Sequence, residues 1–168
     1  GSEMCIRDRS FGIPIISEIE FASKYSNSFK ICVTGTNGKT SVASFCRQIW
    51  NEAGIKAINI GTTGVEGSWS APLNYTTPDP VKLHQVLHKA ASQGITHVAI
   101  EASSHGLDQR RLDGVQITTT AFTNFSRDHL DYHVSIKITL KRKKDYLNAY
   151  VQKKKLAYSI LITQKLRI

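Results

Sequence analysis

The sequence predicts an α/β fold in which a mostly parallel sheet carries helices on both faces. Two observations predict it. Short apolar runs alternate with segments whose apolar residues recur at helical spacing, and glycine or proline punctuates the boundaries between them. A chain of 168 residues is also about the size of one domain with a real core.

The elements follow in order. Residues 30–33 form a short apolar run ending at a glycine loop, which reads as a buried strand. Residues 39–53 read as a helix, with Val42, Phe45, Cys46, Ile49 and Trp50 on its apolar face and Gly54 as its C-terminal stop. Residues 55–60 are a second strand. Residues 61–79, rich in Gly, Ser, Pro and Thr, read as a long loop, a length that suggests function in a compact domain. Pro80 opens a second helix that runs to Gly94, with Val81, His84, Val86, Leu87 and Ala91 as its apolar face. Residues 95–100 are a third strand ending at Glu101, and the threonine-rich 116–122 a fourth. Residues 135–150 read as a helix and 156–163 as a last strand. Strand–helix alternation of this kind argues for parallel pairing.

Composition excludes several classes. Hydrophobic content of 40% with four prolines fits an ordinary globular protein. No stretch approaches the roughly 20 apolar residues of a membrane span, and no signal-peptide pattern opens the chain. Cys5, Cys32 and Cys46 lack metal-ligand spacing and read as reduced thiols of a cytoplasmic protein. The net charge of +9 is confined to the end: residues 1–133 hold 12 basic and 12 acidic residues, whereas 134–168 hold 10 basic residues against Asp145 alone. Solvated helix faces, or a surface covered by another part of the protein, account for this better than a nucleic-acid or membrane patch.

The segment Thr34-Gly35-Thr36-Asn37-Gly38-Lys39-Thr40-Ser41 sits between a strand and a helix, the context of a phosphate loop. Gly35 and Gly38 let backbone N–H groups approach phosphates, and the helix N-terminus adds donors and a positive dipole end. Lys39 is the residue to reach the β- and γ-phosphates, and the Thr40 hydroxyl the one to ligate Mg²⁺. The longer eight-residue pattern fails by one position, because Val33 stands where its first glycine belongs. A glycine turn that merely caps a helix is the competing structural reading. With the loop included, the fold class is a sheet of the phosphate-loop type.

Glu101 ends the third strand, where the ligand crevice of open parallel sheets lies and where a carboxylate can hold Mg²⁺. Ser103-Ser104-His105-Gly106 follows; without a Gly-x-Ser-x-Gly elbow it is no hydrolase dyad. Arg110 and Arg111 suit anionic substrates. His129 and His133 stand four apart, but the glutamate expected beside the first histidine of a zinc helix is absent. His84, His88 and His97 lie on core-like faces and read as structural.

Together these motifs resemble the Mur ligase family, and within it the branch that adds the third amino acid of the peptidoglycan stem peptide. Four blocks carry the resemblance over about residues 30–147: 34–41, Thr76-Thr77-Pro78-Asp79, 101–111 and 123–133. Val33 fits it too, since the family's loop lacks the first glycine. The resemblance implies ATP binding by Gly35, Thr36, Asn37, Gly38, Lys39, Thr40 and Ser41. It implies contact with a UDP-MurNAc-dipeptide by Thr76, Thr77, Ser103, Gln109 and Arg111. It implies Mg²⁺ ligation by Thr40, Glu101, His129 and a carbamylated lysine. By spacing that lysine is Lys143, with Lys141 and Lys144 as competitors. Lys39, Glu101, His129 and Lys143 are thus the catalytic set, and the implied chemistry is phosphoryl transfer to a carboxylate followed by attack of an amino group.

The expected organisation is a leader at 1–10 foreign to the fold, 11–29 as a linker or tail of an N-terminal uridine-binding domain, and 30–168 as a central ATP-binding domain cut short. The C-terminal ligase domain is expected to be absent and the segment alone inactive. Diaminopimelate and lysine both stay open as the added amino acid. A folylpolyglutamate-synthase-like ligase and a nucleotide-binding module with a basic, partner-binding tail are the alternatives.

Overall fold

A computed structural model describes residues 28–124, together with the backbone of 159–161. Six strands form one sheet in the order β3-β2-β4-β1-β5-β6. These are β1 (Phe29–Thr34), β2 (Ala57–Gly61), β3 (Gly64–Gly67), β4 (His97–Glu101), β5 (Thr119–Phe122) and β6 (Ser159–Leu161), joined by α1 (Lys39–Glu52), α2 (Pro80–Ser92) and α3 (Ser104–Asp108). All pairs are parallel except β2–β3. The predicted fold class is therefore the observed one.

Alternation along β1 shows how the two faces are built. Ile31 and Val33 join Ala43, Ala99 and Ala121 beneath α1. Cys32, between them, joins Ile58, Ile60, Val98 and Ile100 beneath Leu83, Val86, Leu87 and Ala90 of α2, with Leu107 and Leu112 alongside. Burial pushes the Cys32 thiol up to about 12, which leaves it protonated and inert.

Both helices bury a different stripe from the one the sequence suggested, with Ala43, Leu83 and Ala90 buried although they were not expected. On α1 only Val42, Ala43, Cys46 and Trp50 face the sheet, while Phe45 and Ile49 are 59% and 66% exposed. The three alanines let α1 sit close, so the residues that fall about 100° further round the helix miss the sheet. On α2 the buried residues are Leu83, Val86, Leu87 and Ala90; Val81 and Ala91 are exposed. Pro80 does occupy the first turn, and Asp79 caps it by accepting a hydrogen bond from Lys82 N at 3.0 Å. Gly54 and Gly94 take positive φ just after the two helices, as the sequence implied.

Residues 61–79 are not one long loop. Gly64–Gly67 pairs with β2 as an antiparallel edge, and Trp69, Ala71 and Leu73 pack back against the α2-side core. The signal was lost because Gly-Val-Glu-Gly is too short to show alternation; its pairing with β2 makes it a strand. The fourth strand begins at Thr119, although Thr118 N already donates to Lys30 O at 2.8 Å. The short α3 was not foreseen. The helix expected at 135–150 lies outside the described residues, and only Ser159–Leu161 of the last expected strand is seen, parallel to β5.

His84 and His97 are half-buried, whereas His88 is exposed. His97 stacks on Phe29 and lies 5.1 Å from the Trp50 ring. Burial lowers both histidine pKa values below 6.5; at His84 the Asp113 carbonyl opposes the shift and the Lys30 charge adds to it. A lowered histidine contributes stability above its unfolded value that is lost as protonation becomes possible. The melting temperature is therefore expected to fall as the pH drops from about 7.5 to about 5, with a shallower fall in a His84→Asn/His97→Asn variant. Equal slopes in the two proteins would contradict this.

Candidate active site

The loop between β1 and α1 wraps around two glycines with positive φ, Gly35 at 143° and Gly38 at 79°. A side chain at Gly35 would collide with Thr123 Oγ1 and approach Asn124 N to 3.0 Å. The end of β5 thus clamps the loop. Thr36 N donates to Asn124 O and Asn37 N to Asn124 Oδ1, each at 2.9 Å, and the Thr123 hydroxyl donates to Asn37 O. The first intrahelical bond of α1 runs from Val42 N to Gly38 O at 3.0 Å, so the N–H groups of residues 39–41 precede the ladder, as an anion site at a helix N-terminus requires. Lys39 Nζ folds back onto the loop, donating to Gly35 O at 3.0 Å and Thr36 O at 2.7 Å.

Glu101 reaches this loop from β4. It is fully buried, yet its carboxylate is held in place: Thr40 Oγ1 donates to Oε2 at 2.9 Å and Thr62 N to Oε1 at 3.1 Å. Gly61 makes room for it, since any Cβ there would overlap the carboxylate. Thr40 and Glu101 are hard oxygen donors side by side, the ligand chemistry of Mg²⁺. Among the described residues no group of three or more His, Cys, Asp or Glu could hold a metal, so this pair supplies only part of a coordination sphere.

Beyond Glu101 the cleft continues into a second half. Thr77, 1% exposed, donates from Oγ1 to Glu101 O at 2.9 Å, accepts from Ser103 N at 3.0 Å and lies 3.2 Å from Ser103 Oγ. Gly106 is required beside it, because a Cβ there would come within 2.6 Å of Thr77 Cβ. Arg111 Nη1 donates to Thr77 O at 2.8 Å, and its Nε and Nη2 both donate to Gln109 Oε1. Its guanidinium also lies 5.1 Å from the Tyr75 ring, a cation–π contact. The result is a fixed cationic fork at the cleft wall.

One cavity of about 480 Å³ joins the two halves. From the loop side it is lined by Gly35, Thr36, Asn37, Gly38, Lys39 and Thr40, and from the other by Thr76, Thr77, Glu101, Ser103 and Arg111. Ser41 and Gln109 are exposed and off the lining; Gln109 reaches it through Arg111. His129 and Lys143 lie outside the described residues. Sequence reasoning missed Thr62, Tyr75 and the loop-clamping role of Thr123 and Asn124. It also missed Ser104, whose hydroxyl is buried at the lining without a partner.

A phosphate-loop cradle, a buried carboxylate against its threonine, and an arginine fork in one cleft is a distinctive arrangement. The family model of the Mur ligase middle domain matches residues 33–165. The chain belongs to this family. Among its relatives is the UDP-N-acetylmuramoyl-L-alanyl-D-glutamate--2,6-diaminopimelate ligase of Brucella melitensis biotype 1, 60% identical over 124 residues, covering 73% of this chain and 25% of that protein. The enzyme of the same name from Rhizobium meliloti is 54% identical over 124 residues, covering 69% and 26%. This Mur ligase segment thus spans about a quarter of the length of these curated relatives. A solved structure of a 2,6-diaminopimelate ligase of this name superposes with a TM-score of 0.67 at 29% identity, over 88% of this chain and 35% of that one. E. coli FolC in complex with DHPP and ADP superposes with a TM-score of 0.53 over 86% of this chain and 46% of that one; at 16% identity it shares the fold alone. No helix among the described residues is long and apolar enough to cross a membrane.

Proposed function

We propose that this cleft is the phosphoryl-transfer centre of a longer ATP-dependent ligase of peptidoglycan synthesis, which joins an amino acid to UDP-MurNAc-L-Ala-D-Glu. The observation that carries the reading is that the phosphate cradle and the arginine fork open into one cavity with Glu101 between them. Diaminopimelate is the proposed amino acid, supported by the relatives' names. Residues 30–168 belong, in this reading, to the central domain, cut short, which the middle-domain match over residues 33–165 supports.

In this reading ATP lies along residues 35–41. Its phosphates take the N–H groups at the start of α1, and Lys39 exchanges its two carbonyl partners for β- and γ-phosphate oxygens. Thr40 and Glu101 would hold Mg²⁺, and the family resemblance adds His129 and a carbamylated Lys143 as the further ligands. When bound there, Mg²⁺ offsets the charge on the transferring group. Thr76, Thr77, Ser103 and Arg111, with Gln109 orienting Arg111, bind the D-glutamate γ-carboxylate on the side of the cavity that faces the phosphate loop. A carboxylate oxygen bonds to phosphorus as ADP leaves, the amino group then attacks the acyl carbon, and phosphate departs as the amide forms.

The test is amide formation. The complete ligase containing this chain is expected to form amide from ATP, UDP-MurNAc-L-Ala-D-Glu and diaminopimelate, with no turnover when a folate replaces the nucleotide substrate. The chain by itself is expected to form none. Folate-dependent release of ADP would overturn the reading in favour of a folylpolyglutamate-synthase-like enzyme. Amide formed by the chain alone would show that the other domains are dispensable.

A further inference from the structure

Thr62 and Thr63 are the two turn residues between the paired glycines Gly61 and Gly64 of the β2–β3 hairpin. Gly64 takes the positive φ of 99°, and neither threonine does, so the turn is unstrained and tied to the sheet on both sides. Its tip stands at the cleft. Thr62 N donates to Glu101 Oε1 at 3.1 Å, and Thr62 Oγ1 lies 3.0 Å from Thr76 Oγ1. With Thr40 donating to the other oxygen of Glu101, a continuous line of hydrogen bonds crosses the cleft from the phosphate loop to Thr76. The Thr62 side chain is exposed and belongs to neither core cluster, so packing does not explain its hydroxyl. Each hydroxyl carries one proton, and the pair uses only one of the two; the other remains for an oxygen of a bound molecule. Threonine is stiff about χ1, so the contact holds both hydroxyl oxygens in place.

We infer that Thr62 is a positioning residue for the acceptor substrate, aiming the Thr76 hydroxyl at it while its own N–H holds Glu101. The inference rests on the proposed role of Thr76 in binding the UDP-muramoyl-dipeptide. It assigns the two groups of Thr62 separate tasks: the N–H serves the nucleotide side and the hydroxyl serves the acceptor side.

Steady-state kinetics of the complete ligase separate these tasks. Thr62→Val keeps the backbone N–H and removes the hydroxyl. It is expected to raise the KM for UDP-MurNAc-L-Ala-D-Glu about fivefold to twentyfold, while the KM for ATP stays within about twofold. Thr62→Ser is expected to restore the acceptor KM to within about twofold of wild type. In a Thr76→Val background, Thr62→Val is expected to add less than about twofold, because its effect runs through Thr76. An unchanged acceptor KM in Thr62→Val, full additivity with Thr76→Val, or failure of serine to restore binding would each overturn the inference. If Thr62→Val is inert while the wild type forms amide, the inference falls and the proposed function stands. If the wild type itself forms no amide, both fall.

Discussion

Substituting Gly61→Ala is expected to slow amide formation by the complete ligase about a hundredfold, the scale on which misplacing a catalytic group by about 1 Å acts. The cause is steric and local. The Cβ of an alanine at this position would occupy the space of the Glu101 carboxylate and lie 2.8 Å from its Cγ. Glu101 has little freedom to yield, because Thr40 and Thr62 fix both oxygens and the residue is fully buried. Overpacking of this kind costs about 1–3 kcal/mol of stability as well. Thermal unfolding and kcat should therefore both respond. The double variant Gly61→Ala/Glu101→Asp shortens the opposing side chain, so it should recover most of the lost stability while activity stays low. Recovery of both would mean that the carboxylate's position does not matter to the reaction.

Lys39→Ala should have the other large effect. Its ammonium bonds to Gly35 O and Thr36 O, so the side chain lies folded across the cradle. Charge-assisted hydrogen bonds are worth about 1.5–3 kcal/mol each, so calorimetry on the chain should show ATP–Mg²⁺ affinity reduced about tenfold to a hundredfold. The complete ligase should lose a further factor of about a hundred in kcat if, as proposed, this charge meets the phosphoryl group as it transfers. Unchanged ATP affinity in Lys39→Ala would remove the loop from the site.

The fold was legible where local pattern decided it. Glycine after an apolar run, then Lys-Thr-Ser opening a helix, specified β1, the loop and α1; Pro80 behind Asp79 specified the start of α2. It was less legible where tertiary geometry chose among several apolar residues. Phe45 and Val81 carry the same hydrophobic signal as the buried Cys32 and Leu83, and only their position round the helix, turned away from the sheet, leaves them exposed. β3 became a strand because β2 offered an edge.

The site divides in the same way. Gly35, Lys39, Thr40 and Glu101 belong to short motifs whose chemistry is local, and the cleft gathers them. Thr62, Thr123 and Asn124 act across the fold. Thr123 meets Gly35 only because β5 pairs with β1 in the register Thr34↔Phe122, and no spacing along the chain encodes that. Tyr75 and Gln109 both contact Arg111, and those contacts depend on a side-chain direction that sequence does not give.

The most direct test of the acyl-phosphate centre is to follow an oxygen atom. If the γ-carboxylate of UDP-MurNAc-L-Ala-D-Glu is labelled with heavy oxygen and turned over by the complete ligase with ATP and diaminopimelate, the account predicts one labelled oxygen in each inorganic phosphate released. That atom bonds to phosphorus in the activation step and leaves with it when the amine attacks. Phosphate without the label, formed alongside amide, would show that the carboxylate is never phosphorylated and would contradict the assignment of this cleft.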